Sequence, residues 1–308
     1  MATVGGRVVN RDAPNAGNGV ARGDRAPMIY WLMFSGRLGS VRGSCATAGS
    51  SQTGARRSAP WVLAAGALAL ACFAAFPWAR ATAADDVPAL VRRAVAEYAA
   101  DHRGPLGFSR HVVFTLHAGP LSRDVRNDVG VLMRDGEYQR VRYYTGETNG
   151  KADDAAALQR QEDQANADIA AGRGFVKRPV DPRFLDDYRF ATAACADCAV
   201  GREAFAFTST VHDRQHGHGT IVIDAATGHV EQISYTLEQP PEHATSGDMT
   251  ETFGEALPGL WTCVRVLETY HGRVGLIGGS ASMTTTLDRF HRFPQLDTGL
   301  AALSAGSI

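Results

Sequence analysis

Lys151 and Lys177 are the only lysines among the 31 basic residues of this 308-residue chain, a skew that reads as coding bias. Short catalytic motifs are missing too. There is no G-x-S-x-G, the nearest stretch being Gly278-Gly279-Ser280-Ala281-Ser282, no P-loop, no H-E-x-x-H and no Gly-rich strand-to-helix turn. These absences exclude a nucleophile elbow, a phosphate cradle, a zinc-protease helix and a dinucleotide fingerprint. A triad scattered along the chain is not excluded. The expectation is a protein that is not an enzyme and takes no cofactor.

Periodicity is lacking in the first sixty residues, which are rich in Gly, Ala, Ser and Arg and cannot bury enough apolar surface to offset their ordering entropy. Residues 1–55 therefore read as a disordered or over-extended N-terminus, with the true start near Met33 or later. Charge is divided unevenly. Up to Ala83 there are nine Lys/Arg and two Asp/Glu; from Ala84 on there are 22 and 30. An acidic domain of this kind lacks the electrostatic footprint of a nucleic-acid binder.

Between the two parts lies an export signature, residues 56–83. Arg56-Arg57 precede the mostly apolar run 61–78, and Ala81-Thr82-Ala83 stand before the acidic Ala84-Asp85-Asp86. That order matches a secretory signal peptide cleaved near Ala83. The alternative is an uncleaved anchor, since about 18 residues can just span a bilayer. Cleavage would release residues 84–308 as one β-rich domain to the periplasm or beyond. The export route stays open.

In that domain a first helix is expected from Asp86, capped by Asp85 or Asp86, with Pro88 in its first turn. Val112, Phe114 and Leu116 then alternate with polar residues, and Val129, Val131 and Met133 repeat the pattern ahead of Asp135-Gly136. Alternation around Asp-Gly predicts a hairpin, because both turn residues need positive φ. Residues 152–171 read as a polar surface helix. From Asp187 the chain reads as an antiparallel meander, with strands near 188–193, 205–211, 220–224, 230–237, 249–253, 262–270 and 283–293. About ten strands result, mainly antiparallel, in an α+β domain.

Three features carry candidate chemistry. Cys195 and Cys198, in Cys-Ala-Asp-Cys, read behind an export signal as a disulfide pinning a hairpin loop, with Cys263 free. His212, His216 and His218 lie across a predicted hairpin; the His-x-His spacing puts two imidazoles on one strand face, where a metal could bind, against the alternative of a solvated polar tip. Trp261 either packs in the core or lines an apolar cavity.

The turn phrase Gly219-Thr-Ile-Val-Ile-Asp-Ala-Ala-Thr-Gly228, the short first helix, the hairpin, the helical cover and the long meander together resemble the periplasmic lipoprotein-carrier (LolA/LolB-like) superfamily over about residues 86–293. The resemblance implies an unclosed half-barrel with a helical cover and a cavity for acyl chains. Val112, Phe114, Leu116, Phe205, Phe207, Ile233, Tyr235 and Trp261 are the cavity candidates. The implied partners are a lipid or an acylated protein, with an envelope protein as a further partner. The competing class is a small envelope enzyme or metal-binding protein that uses the His212/His216/His218 hairpin.

Overall fold

The computed structural model describes residues 87–308, apart from 174, 196–197, 242–243 and 275–276. The export signature and the Asp85/Asp86 cap lie outside the described residues. The first helix, α1 (Ala89–Asp101), starts three residues later than expected, and Pro88 is its N-cap with an extended ψ of 143° and no side-chain cap. The proline ring disfavours helical backbone in the residue before it, Val87, so the helix does not reach back to Asp86. Val91, Ala94, Val95 and Tyr98 form its buried stripe.

Among the described residues eleven antiparallel strands come next: β1 (Pro105–Ala118), β2 (Leu121–Arg134), β3 (Glu137–Thr148), β4 (Lys151–Ala152), β5 (Tyr188–Ala193), β6 (Arg202–Ser209), β7 (Gly217–Asp224), β8 (Val230–Leu237), β9 (Ala244–Leu257), β10 (Leu260–Val274) and β11 (Ile277–Arg292). Asp135 and Gly136 have φ of 51° and 79°, as the hairpin turn between β2 and β3 requires. The strand order is β4-β3-β2-β1-β11-β10-β9-β8-β7-β6-β5. Every pairing but one joins chain neighbours; the exception sets β1 against β11 and unites the early hairpins with the later meander. The edges, β4 and β5, do not pair with each other, so the sheet is an unclosed half-barrel.

Helix α2 (Ala155–Ala170), capped by the Asp154 side chain on Ala157 N at 2.6 Å, packs on β3. Helix α1 packs on β10 and β7 of the same face, so these two cover the inner side. A third helix, α3 (Leu296–Ala305), is an addition to the expected elements and lies on the outer face, where Leu303 and Ile308 cluster with Leu132. Gly130 makes that approach possible: a Cβ there would meet Leu303 at 2.7 Å.

Candidate functional site

Directly paired residues of an antiparallel ladder project to the same face, so the register maps the inner surface. One row crosses eight strands as Val125, Phe114, Met283, Glu268, Met249, Tyr235, Gly219 and Phe207. The next reads Asn127, Val112, Thr285, Val266, Glu251, Ile233, Ile221 and Phe205. Val112, Phe114, Phe205, Phe207, Ile233 and Tyr235 therefore share one surface and one buried cluster, with Leu116 part-buried beside them, one step further along β1. Trp261 stands apart at the start of β10, part-buried against that cluster. Its Nε1 donates to the Val230 carbonyl at 2.6 Å and its ring stacks on His229 at 4.8 Å.

Polar groups interrupt this apolar face at positions that the sequence reading passes over. Glu251 is 2 % exposed and meets Arg178 through two hydrogen bonds, Nε to Oε2 at 2.7 Å and Nη2 to Oε1 at 2.8 Å. Burial opposes the charge on the guanidinium, but Glu251 outweighs it and holds the arginine charged. Glu268, also 2 % exposed, accepts a hydrogen bond from the Tyr270 hydroxyl, and burial pushes its carboxyl up to about 7.

Arg178 belongs to the connector 172–187, which works as a strap across the open side. At one end Arg183 pairs with Glu137 at 2.7 Å and donates to the Gly136 carbonyl at 3.0 Å, both in the β2–β3 turn region. At the other, Gln215, before β7, donates to the Gly172 and Phe175 carbonyls at 3.0 and 3.2 Å. Val180 is fully buried between these anchors. Under the strap a cavity of about 20 Å³ is lined by Tyr98, His102, Arg178, Thr262 and Cys263 among others. That is room for a water and not for a ligand. His102 Nδ1 donates to the Tyr98 carbonyl at 2.8 Å, which leaves Nε2 to accept from Thr262 at 3.0 Å; burial brings this imidazole down to about 4, so it is neutral. The Cys263 thiol is pushed up to about 12 by burial and is no nucleophile at neutral pH.

The histidines do not converge as their spacing suggests. His216 is fully buried, its two ring nitrogens engaged by Asp213 at 2.7 Å and Asp187 at 3.1 Å. His218 is exposed and shares Glu238 with His212, each at 3.1 Å. His216 lies just before β7 begins, so the two-residue alternation does not place it beside His218. The carboxylates that meet these rings come from distant positions, and among the described residues no group of three or more His, Cys, Asp or Glu could hold a metal. Cys195 and Cys198 form a disulfide with Cα atoms 5.3 Å apart, and Cys263 is free and buried.

No family's sequence profile matches the chain, and no curated protein matches it. Among solved structures it is similar to a domain described as an outer membrane lipoprotein-sorting protein from Vibrio parahaemolyticus, at 12 % identity and a TM-score of 0.36 over 65 % of this chain and 91 % of that one. A DUF1329 family protein from Desulfovibrio piger gives 12 %, 0.32, 68 % and 94 %. MucB, solved in complex with MucA, gives 7 %, 0.18, 65 % and 92 %. At TM-scores this low, likeness carries no argument about ligand or partner, which must come from the geometry of this chain.

Proposed function

We propose that this chain is a non-catalytic carrier of the cell envelope that holds an acyl chain on the inner face of its half-barrel. The observation that carries this reading is an open sheet, eleven-stranded among the described residues, with a largely apolar inner face covered from one side by α1, α2 and one strap. A sheet of this size must close, pair with a second sheet or be covered by something else. Helices α1 and α2 pack on β3, β7 and β10 of the inner side. The stretch of β1, β2 and β11 around Phe114, Leu116 and Met283 lies between them, and it is where the chain would lie.

The strap closes one end of the β1–β2 hairpin, near Gly136. At the other end, Leu121 is 57 % and Ile277 43 % exposed on neighbouring hairpin tips. That end is the entrance in this reading. Each methylene buried there would contribute about 0.8 kcal/mol, so a partly covered chain binds usefully. Export behind a signal cleaved near Ala83 would deliver the domain to the periplasm, where the ligand is a lipid or an acylated protein and an envelope protein is a further partner.

The test is delipidation followed by titration with an environment-sensitive apolar dye, alongside mass spectrometry of lipid extracted from the protein as isolated. Saturable dye binding, displaced by phospholipid or fatty acid and weakened in Leu116→Glu, is the expected result. Neither co-purified lipid nor saturable dye binding would show the inner face to be packed core.

A further inference from the structure

The two edges of the sheet are finished differently. Helix α2 lies along β3, and its side chains take backbone groups of that strand. The Asn166 carboxamide accepts from the Val141 N–H at 2.9 Å and donates to the Val141 carbonyl at 3.1 Å, and Glu162 accepts from the Tyr143 N–H at 3.2 Å. β4 adds a short pairing at Glu147 and Thr148. At the opposite edge no side chain of another element covers β5 in this way among the described residues. Arg189, Ala191 and Thr192 are exposed there and Phe190 is half-buried.

Hydrogen-bond accounting shows what β5 leaves open. The Thr210 N–H donates to the Asp187 carbonyl at 2.7 Å, so Asp187 turns that group towards the β6 side. Bonded and non-bonded pairs alternate along an antiparallel ladder. Arg189, Ala191 and Ala193 therefore bond to Thr208, Ala206 and Ala204, while Tyr188, Phe190 and Thr192 turn their backbone groups outward. Tyr188 is answered within its own segment, its N–H by the Leu185 carbonyl and its carbonyl by the Arg189 guanidinium at 2.9 Å. Phe190 and Thr192 remain, each with an N–H and a carbonyl that no described residue meets. A strand edge of this kind, with no proline and no inward-pointing charge, is a template for another strand.

We propose that this edge is a self-association surface, on which β5 of a second copy pairs antiparallel about a two-fold axis at Ala191. In that register Phe190 of each copy stands opposite Thr192 of the other. Each such pair exchanges two hydrogen bonds, which answers every open group on both edges. Arg189 meets Ala193 of the second copy, so like charges do not face each other. An axis at Arg189 would set two guanidinium groups side by side, and an axis at Phe190 would need the groups of Tyr188 that are already engaged. The pairing is isologous and consumes the open edge, so it closes as a dimer and does not grow into a fibre. Both inner faces then lie on one side, joined through Phe190, which packs on the apolar cluster. The dimer does not depend on the carrier reading.

Sedimentation velocity over roughly 1–300 µM, the range that so small an interface calls for, should show a monomer giving way to a dimer. Thr192→Pro removes only an outward N–H, at an edge position where proline is tolerated. It should weaken the dimer by about tenfold or more and leave the melting temperature unchanged. A cysteine at the axis gives a second reading that does not rely on that variant folding. Facing Cα atoms of a non-hydrogen-bonded pair are about 4.5 Å apart, within disulfide reach, so Ala191→Cys should cross-link two chains under mild oxidation while Ala193→Cys should not. A chain that stays monomeric throughout overturns the proposal. So does a dimer undiminished in Thr192→Pro, or one that cross-links through position 193 and not 191.

Discussion

Replacing Glu268 by glutamine isolates one buried carboxyl, and its effect on stability has a sign that depends on pH. Burial raises the folded-state value to about 7, from 4.5 for the free side chain. The folded protein therefore holds the proton more tightly than the unfolded chain. Its contribution is complete below pH 4.5, where both states are protonated, and is lost as pH climbs to 7. Above 7 both states are ionised and the loss is constant. The difference of about 2.5 pKa units corresponds to roughly 3 kcal/mol. The glutamine side chain would keep an acceptor for Tyr270 but never ionise. Wild type and Glu268→Gln should thus be similarly stable near pH 4.5, and the variant more stable by about 3 kcal/mol at pH 8. Urea midpoints at closely spaced pH values read this directly. His111, raised chiefly by its hydrogen bond to Asp128, and His102, lowered by burial, add their own slopes. Taking the difference between the two proteins removes both. Parallel curves across the range would refute the reasoning and place Glu268 in contact with water.

The packing supplies three more expected outcomes. Arg178→Met or Glu251→Gln alone should cost about 3–5 kcal/mol by stranding a buried partner, and the double variant should cost less than the sum of the singles; simple additivity in urea unfolding would show the pair to be uncoupled. Gly219→Ala should destabilise by at least about 1–3 kcal/mol, since its Cβ would lie 1.9 Å from the Ser234 carbonyl oxygen on the neighbouring strand; an unchanged melting temperature would contradict that contact. Alkylation of the denatured, unreduced protein before peptide mapping should modify Cys263 and spare Cys195 and Cys198. Reducing that pair should lower stability by about 2 kcal/mol or less, because the loop it closes is short; modification of all three would disprove the bond.

The inner face is legible in the sequence where the period-two alternation carries large apolar residues. Val112, Phe114 and Leu116, and likewise Ile221 and Ile223, read as one face because every second residue is aliphatic or aromatic. The same alternation contains Glu251 between Met249 and Phe253, and Glu268 between Val266 and Tyr270, each in the buried phase of its strand. A carboxylate in phase with buried neighbours is a signal of an internal partner, and the sequence displays it. It does not display the partner: Arg178 is 73 residues away in a connector with no periodicity. Pairing of β1 with β11 is hidden for a similar reason, since no local turn joins them. Helix α3 has only ten residues with Gly299 near its centre, and its apolar stripe is answered by Leu132 across the chain. The histidine spacing misleads because a separation of two implies one face only inside a strand, and His216 stands just outside.

Polar groups on the inner face fall into two kinds, those that a described residue answers and those that none does. Glu251 lies on β9, where the strap must be anchored across an open side, and its two oxygens are taken by one guanidinium. Removing the strap's arginine would leave that charge buried, so the pair sets the position of the cover and has no capacity left for a ligand. Glu268 is similarly answered by its neighbour on the same strand. Asn127 and Thr285 differ in that none of the described residues answers their side chains, although an apolar residue of similar volume would pack there without penalty. Arg110 differs from Arg178 in the same way, a cation on the same face with no carboxylate within ion-pair distance among the described residues. Asn127 and Thr285 stand on β2 and β11 with β1 between them, and Leu158 of α2 lies over the same point of β3 as the Asn127 carboxamide, beside Gly146.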